Sequence, residues 1–193
     1  MNGFVNIIDV EATCWDGPPP PGQSNEIIEI GVCVLELATL ERVGKRGIVV
    51  KPARSEVSAF CTQLTGWTPE AVADGVPLAE AGRILRKDFR SDSRTWLSWG
   101  DYDRKQFQRE CATKGVPYPF GSRHINAKVV FGNALNNGKR LGMDGALRLL
   151  GLRLEGRHHN GADDAWNIAL VVKHMLETGV LTLPETDALK TRL

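Results

Sequence analysis

Cysteine is scarce: 193 residues hold only Cys14, Cys33, Cys61 and Cys111, and no two form a CxxC pair. That spacing argues against the common zinc and dithiol motifs and fits reduced thiols in a cytoplasmic protein. Long apolar runs are missing too. No stretch reaches the roughly 18 residues read as a membrane span, so no membrane association is expected. The N-terminus lacks a basic segment followed by an apolar core, so no signal peptide is expected. Neither charge dominates: 24 basic and 23 acidic residues leave a formal charge of +1. A duplex-coating protein would show a broad basic footprint. A nucleic-acid partner would therefore be met by a local patch or through bound metal. The chain has no internal repeat.

What is present supports a single core, since 42% of the residues are hydrophobic and the length suits one domain better than two. Residues 1–180 read as that domain and 181–193 as a C-terminal tail. Phe4 to Val10 predicts a buried strand. "WDGPPPPGQSN" (15–25) predicts a stiff, exposed connection. "EIIEIGVCVLEL" (26–37) and "RGIVVKP" (46–52) predict two further strands, so the chain opens as a meander. Residues 60–89 suggest short helices, the last with a Leu78, Ala81, Ile84/Leu85 stripe. A strand over 95–99, a helix from about Asp103 to Thr113, a short strand and turn over 123–132, and helices over 142–151 and 162–177 follow. Successive strands, then alternating strands and helices, predict an α/β domain with a mixed sheet.

The first strand is broken by its own sequence. In "NIIDVEATCWDG", Asp9 and Glu11 stand where the apolar pattern calls for Val or Ile. Residues i and i+2 share a strand face, so both acids continue the face of Val5 and Ile7, at the C-terminal end where open α/β sheets gather ligands. Two carboxylates about 4 Å apart repel by about 4 kcal/mol at an effective dielectric near 20. Taken alone, the pair fits equally well a strand that ends at Val10 with both acids solvated.

Two more segments supply acids. In "SWGDYDRKQFQREC", Asp103, Phe107 and Cys111 recur every fourth residue, which sets Asp103 on the buried face of a helix. By itself it also reads as a helix cap; Asp101 fits the face less well. In "RHHNGADDAWNIALVVKHML", His158 precedes Asp163 by five residues and His159 precedes Asp164 by five. At about 100° per residue, Asp164 falls within the apolar arc of Ile168, Val171, Val172 and Met175, while Asp163 points away as a cap or solvated residue. An inward charge is costly unless paired or metal-bound. Hard oxygen ligands without thiolates favour Mg²⁺ or Mn²⁺ over zinc, and four carboxylates balance two divalent ions about 3.5–4 Å apart.

These motifs resemble those of the DEDDh-type 3′–5′ exonucleases. "DVEATCWDG", "SWGDYDRKQF" and "HNGADDAWNIA", the last with H-x4-D spacing at His159 and Asp164, resemble the three motifs of that family. "FCTQLTGWTPEAV", "INAKVVFGN" and "LLGLRLEGRHHNGADDAWNIA" resemble the branch of histone-mRNA and small-RNA 3′ exonucleases and related bacterial proteins. The resemblance covers roughly residues 4–178. It implies an RNase-H-like three-layer fold, with a mixed five-stranded sheet flanked by helices. It also implies stepwise hydrolysis of single-stranded RNA or DNA from the 3′ end to nucleoside 5′-monophosphates.

On that resemblance Asp9, Glu11, Asp103 and Asp164 hold two Mg²⁺ ions, with Mn²⁺ able to substitute. Glu11 and His159 carry catalytic roles, His159 as general base. The surrounding carboxylates are expected to raise the His159 pKa above about 6.5. Ala12, Thr13, Leu64, Thr65, Trp67 and His159 are the implied substrate contacts, Trp67 as a platform for a base. His158 reads as a neighbour that touches phosphate, and His124 and His174 as structural or solvent-facing. The basic clusters "GRILRKDFR" (82–90) and "GKR" (138–140) are candidates for guiding a strand. Two competing readings keep the same residues: a non-catalytic nucleic-acid-binding protein, and a phosphohydrolase restricted to short oligonucleotides.

Overall fold

The computed structural model describes residues 3–183. β1 (Phe4–Ala12), β2 (Ile27–Glu36) and β3 (Arg42–Val49) form an antiparallel meander. β4 (Trp96–Ser98) and β5 (His124–Asn126) then add in parallel on the other side of β1. The resulting five-stranded mixed sheet has the order β3-β2-β1-β4-β5, with β1 at its centre.

Alternation along β1 decides what covers each face. Val5 and Ile7, with Cys33 and Leu35 opposite them on β2, bury against α5 (Ala127–Leu135), α6 (Met143–Leu149) and α7 (Gly161–Glu177). Ile8 and Val10 point the other way, into a core with α3 (Leu78–Phe89) and α4 (Tyr102–Lys114). Helices on both faces give the expected three layers. Two short helices, α1 (Ala59–Thr65) and α2 (Pro69–Ala73), pack with Ile28 and Val57 in a third, smaller cluster. No helix among the described residues is long and apolar enough to cross a membrane.

One region departs from its sequence reading. The strand and turn predicted over 123–132 are a three-residue strand followed directly by α5. The β-branched Val129 and Val130 obscured a helix whose real signals are the cap and the spacing of its buried side chains. Asn126 accepts the Val129 N–H at 3.1 Å, and Ala127 and Phe131, four apart, bury one face. Leu181 and Leu183 are buried in the α7-side core. Residues 184–193 of the predicted 181–193 tail lie outside the described residues.

Candidate metal centre

The site forms where β1 outruns its parallel neighbour. β4 ends at Ser98, so on that side nothing in the sheet pairs with the β1 backbone beyond the Ile7 register. The first turn of α4 fills the gap: Asp103 accepts the Val10 N–H at 3.0 Å. That bond fixes a buried carboxylate beside Asp9. Asp101 instead pairs with Arg104 on the surface at 2.9 Å.

The other wall comes from α7. Asp9 stands opposite Gly31 in the β1–β2 register, and Gly31 lets the start of α7 settle directly onto the sheet. A Cβ on Gly31 would lie 1.8 Å from the Gly161 carbonyl oxygen. Asn160 caps the helix, accepting the Asp163 N–H at 3.1 Å. Asp164, 4% exposed, turns inward to Asp9 and Glu11; one carboxylate oxygen from each of the three lies within 4.8 Å of the others. Asp163 is neither the cap nor simply solvated. It faces outward, accepts the Arg157 N–H at 2.8 Å and pairs with Lys45, tying the preceding loop to β3.

Both histidines face the same cleft. His158 Nδ1 lies 3.0 Å from the Asp164 carboxylate, and the His159 backbone N–H donates to it at 3.0 Å. The two rings stack with centroids 4.0 Å apart. His159 adopts φ 62°, a left-handed conformation, uncommon for a residue other than glycine and frequent at functional turns.

The electrostatics are lopsided. Among the described residues no lysine or arginine forms an ion pair with any of the four acids. Burial, then Asp103, Glu11 and Asp164, holds Asp9 well above the ordinary carboxylate range. Burial, then Asp164 and Glu29, pushes Glu11 to about 8, against the opposing charge of Arg157. Burial carries Asp103 to about 6 despite its hydrogen bonds from Val10, its own N–H and Ser98. Asp164 is also raised by burial, with both histidines opposing. A cluster of hard oxygen donors with unbalanced negative charge fits divalent cations. The expected rise in the His159 pKa is not found. Burial, then His158, lowers it more than Asp164 raises it.

A thermal consequence follows for the metal-free protein. Glu11 binds its proton more tightly folded than unfolded, from an ordinary value of 4.5 to about 8. Stability therefore falls as pH rises through that window. His124, pushed down to about 4 by burial, acts in the opposite sense, and its effect is complete by about 6.5. Between about pH 6.5 and 8.5 the metal-free protein should thus melt at a lower temperature as pH rises, with Asp9, also held high, acting in the same sense. Saturating Mg²⁺ should remove most of that decrease. Differential scanning calorimetry at both pH values, with and without metal, checks the sign; a Tm that rises with pH would refute it.

The cleft has a volume of about 400 Å³. Of the implied substrate contacts, Ala12, Leu64 and His159 line it. Thr13, Thr65 and Trp67 stand behind its wall instead. The Thr13 hydroxyl binds the Ser24 carbonyl and accepts the Glu26 N–H, and its backbone N–H pairs with Glu26. Thr65 binds the Cys61 carbonyl. The Trp67 indole N–H donates to Glu29 at 2.8 Å, so its ring belongs to the small α1–α2 cluster. Two aromatic residues that sequence reasoning missed do line the cleft, Trp99 and Tyr102. Tyr102 is 55% exposed; an aromatic residue just before a candidate ligand at a helix start was the available signal. The 82–90 cluster lies on α3, on the sheet face away from α7. The 138–140 cluster leads into Gly142 and Met143 at the cleft edge.

The chain belongs to the exonuclease family, whose model matches residues 7–172. Among curated proteins it is 28% identical to the 3′–5′ exonuclease Snipper of Drosophila melanogaster, over 92% of this chain and 71% of that protein. It is 32% identical to human 3′–5′ exoribonuclease 1, over 91% of this chain and 53% of that protein. The nuclease domain of 3′hExo, a DEDDh family member solved with rAMP bound, superposes with a TM-score of 0.82 at 31% identity. That match covers 92% of this chain and 94% of that one. The fold is thus the RNase-H-like fold of the DEDDh exonucleases. The chain spans about half of the human exoribonuclease and 38% of zebrafish ERI1 exoribonuclease 2.

Proposed function

We propose that this chain is a metal-dependent 3′–5′ exonuclease that shortens single-stranded RNA, and DNA less readily, releasing nucleoside 5′-monophosphates. The observation that carries the proposal is the meeting of Asp9, Glu11 and Asp164 within 4.8 Å, beside buried Asp103, at a cleft bordered by His159. Asp9, Glu11, Asp103 and Asp164 would hold two divalent ions, Mg²⁺ or in its place Mn²⁺. When bound, those ions supply an activated water and charge stabilisation for the leaving oxygen.

The chain's own groups do the rest. His159 accepts the proton of the attacking water, held toward the cleft by its left-handed backbone and by its stack on His158. Leu64 and Ala12 give the terminal nucleoside an apolar seat, and exposed Tyr102 offers a face on which a base stacks. Lys139 and Arg140, near the cleft edge, attract the phosphates upstream. RNA is favoured because the similar proteins include a 3′–5′ exoribonuclease and a 3′-exonuclease solved with a histone mRNA stem-loop.

Matched 5′-labelled RNA and DNA oligomers, digested with Mg²⁺ and again with EDTA, test this. The expected result is a ladder shortening from the 3′ end, faster on RNA and abolished by EDTA. Binding without shortening would identify a non-catalytic protein. Activity confined to very short substrates would identify an oligonucleotide phosphohydrolase.

A further inference from the structure

A fifth acid lies beside the four candidate ligands and is engaged quite differently. Glu29 on β2 stands opposite Glu11 in the sheet register and is 1% exposed. Its Oε2 accepts the Gly161 N–H at 2.8 Å, the Trp67 indole N–H at 2.8 Å and the Asn160 side-chain amide at 3.3 Å. Its Oε1 accepts the Ala162 N–H at 3.2 Å. A buried carboxylate is tolerable only when its lone pairs are satisfied, and these bonds to a charged acceptor are of the stronger kind. The positive end of the 17-residue helix α7 adds to that stabilisation.

The donors belong to the two segments that back opposite walls of the cleft. Gly161 and Ala162 begin α7, with Asp164 three residues beyond Gly161 and His159 two before it. Trp67 ends the segment whose Leu64 lines the cleft. The same two segments meet again where the Arg157 guanidinium donates to the Gln63 and Leu64 carbonyls at 3.2 and 3.3 Å. We infer that Glu29 is a positioning residue. It locks the Trp67 segment to the start of α7, so the wall that seats the terminal nucleotide and the wall that presents Asp164 hold one fixed spacing. This inference rests on the proposed nuclease reading and adds to it a carboxylate that serves the site without ligating metal.

An isolated helix cap would affect stability alone; a positioning role must also reach the metal. Mn²⁺ titration by calorimetry, which needs no turnover, is performed on wild type, Glu29→Gln, Trp67→Phe and the double variant. Glu29→Gln places an NH₂ against the donors of α7, and Mn²⁺ affinity is expected to fall by about tenfold or more. Trp67→Phe keeps an aromatic ring and removes only the indole N–H; a smaller loss of affinity is expected, with the double variant no worse than Glu29→Gln alone. The kcat on RNA should follow the same order. Unchanged Mn²⁺ affinity in Trp67→Phe, which leaves Glu29 its other donors, would overturn the inference even if Glu29→Gln does not fold. Additive losses in the double variant would overturn it too. Wild type that binds no Mn²⁺ would instead refute the nuclease reading, so the two failures are told apart.

Discussion

Replacing Asp164 by Asn is expected to cut exonuclease activity by about a thousandfold or more while leaving the metal-free protein as stable as wild type, or more so. The reason lies in the geometry. Asn keeps one oxygen to accept the His159 N–H, which donates to Asp164 at 3.0 Å, so the turn into α7 survives. The lost negative charge is one that raises the pKa of both Asp9 and Glu11, so its removal relieves repulsion. A residue whose loss destroys function and spares stability is placed for chemistry. Asp163→Ala is the matched control. It removes the acceptor for the Arg157 N–H and the Lys45 ion pair, and should cost about 1 kcal/mol of stability with most activity retained. Thermal melts and initial rates on the two variants decide it; the reverse order would show that Asp163 is the ligand.

The second large effect is expected from one methyl group. In Gly31→Ala the new Cβ would sit 1.8 Å from the Gly161 carbonyl oxygen, and both partners are backbone, so neither yields without moving a strand or a helix. The expected cost is about 3 kcal/mol, or a Tm lower by about 9 °C for a chain of this size. Activity should fall with it even well below the melt, because lifting the start of α7 carries Asp164 away from Asp9. Gly44→Ala on β3 is the contrast. There the nearest atom to a Cβ is the Val34 Cγ2 at 3.5 Å, an ordinary contact, and the change should stay within about 0.5 kcal/mol. Circular-dichroism melts and initial rates check both. A Gly31→Ala protein with wild-type Tm and activity would mean that α7 does not rest on the sheet as described.

Much of this site was readable because each acid violates a local pattern. Asp9 and Glu11 interrupt a strand on the face of Val5 and Ile7, and that face is the one α7 covers. Asp164 falls inside the apolar arc of its helix, and the structure buries it. Asp103 shares its helix face with Phe107, and both are buried. The misses share a cause as well. Glu29 looks in sequence like any polar residue of a strand; its importance arises only from the folding of α7 and Trp67 onto it, contacts more than thirty residues away. Trp67 read as a base platform because an aromatic residue in a loop advertises stacking, while its indole N–H found a buried carboxylate. The His159 pKa ran opposite to expectation because sequence shows the acids nearby and not the burial or the stacked His158.

The most direct test of the central claim is a count of ions. Isothermal titration of Mn²⁺ into the protein, with a nucleoside 5′-monophosphate present, should give two ions per chain, and Asp164→Asn should lose at least one of them. Absence of Mn²⁺ binding, or binding that Asp164→Asn leaves unchanged, would contradict a metal centre built from Asp9, Glu11, Asp103 and Asp164.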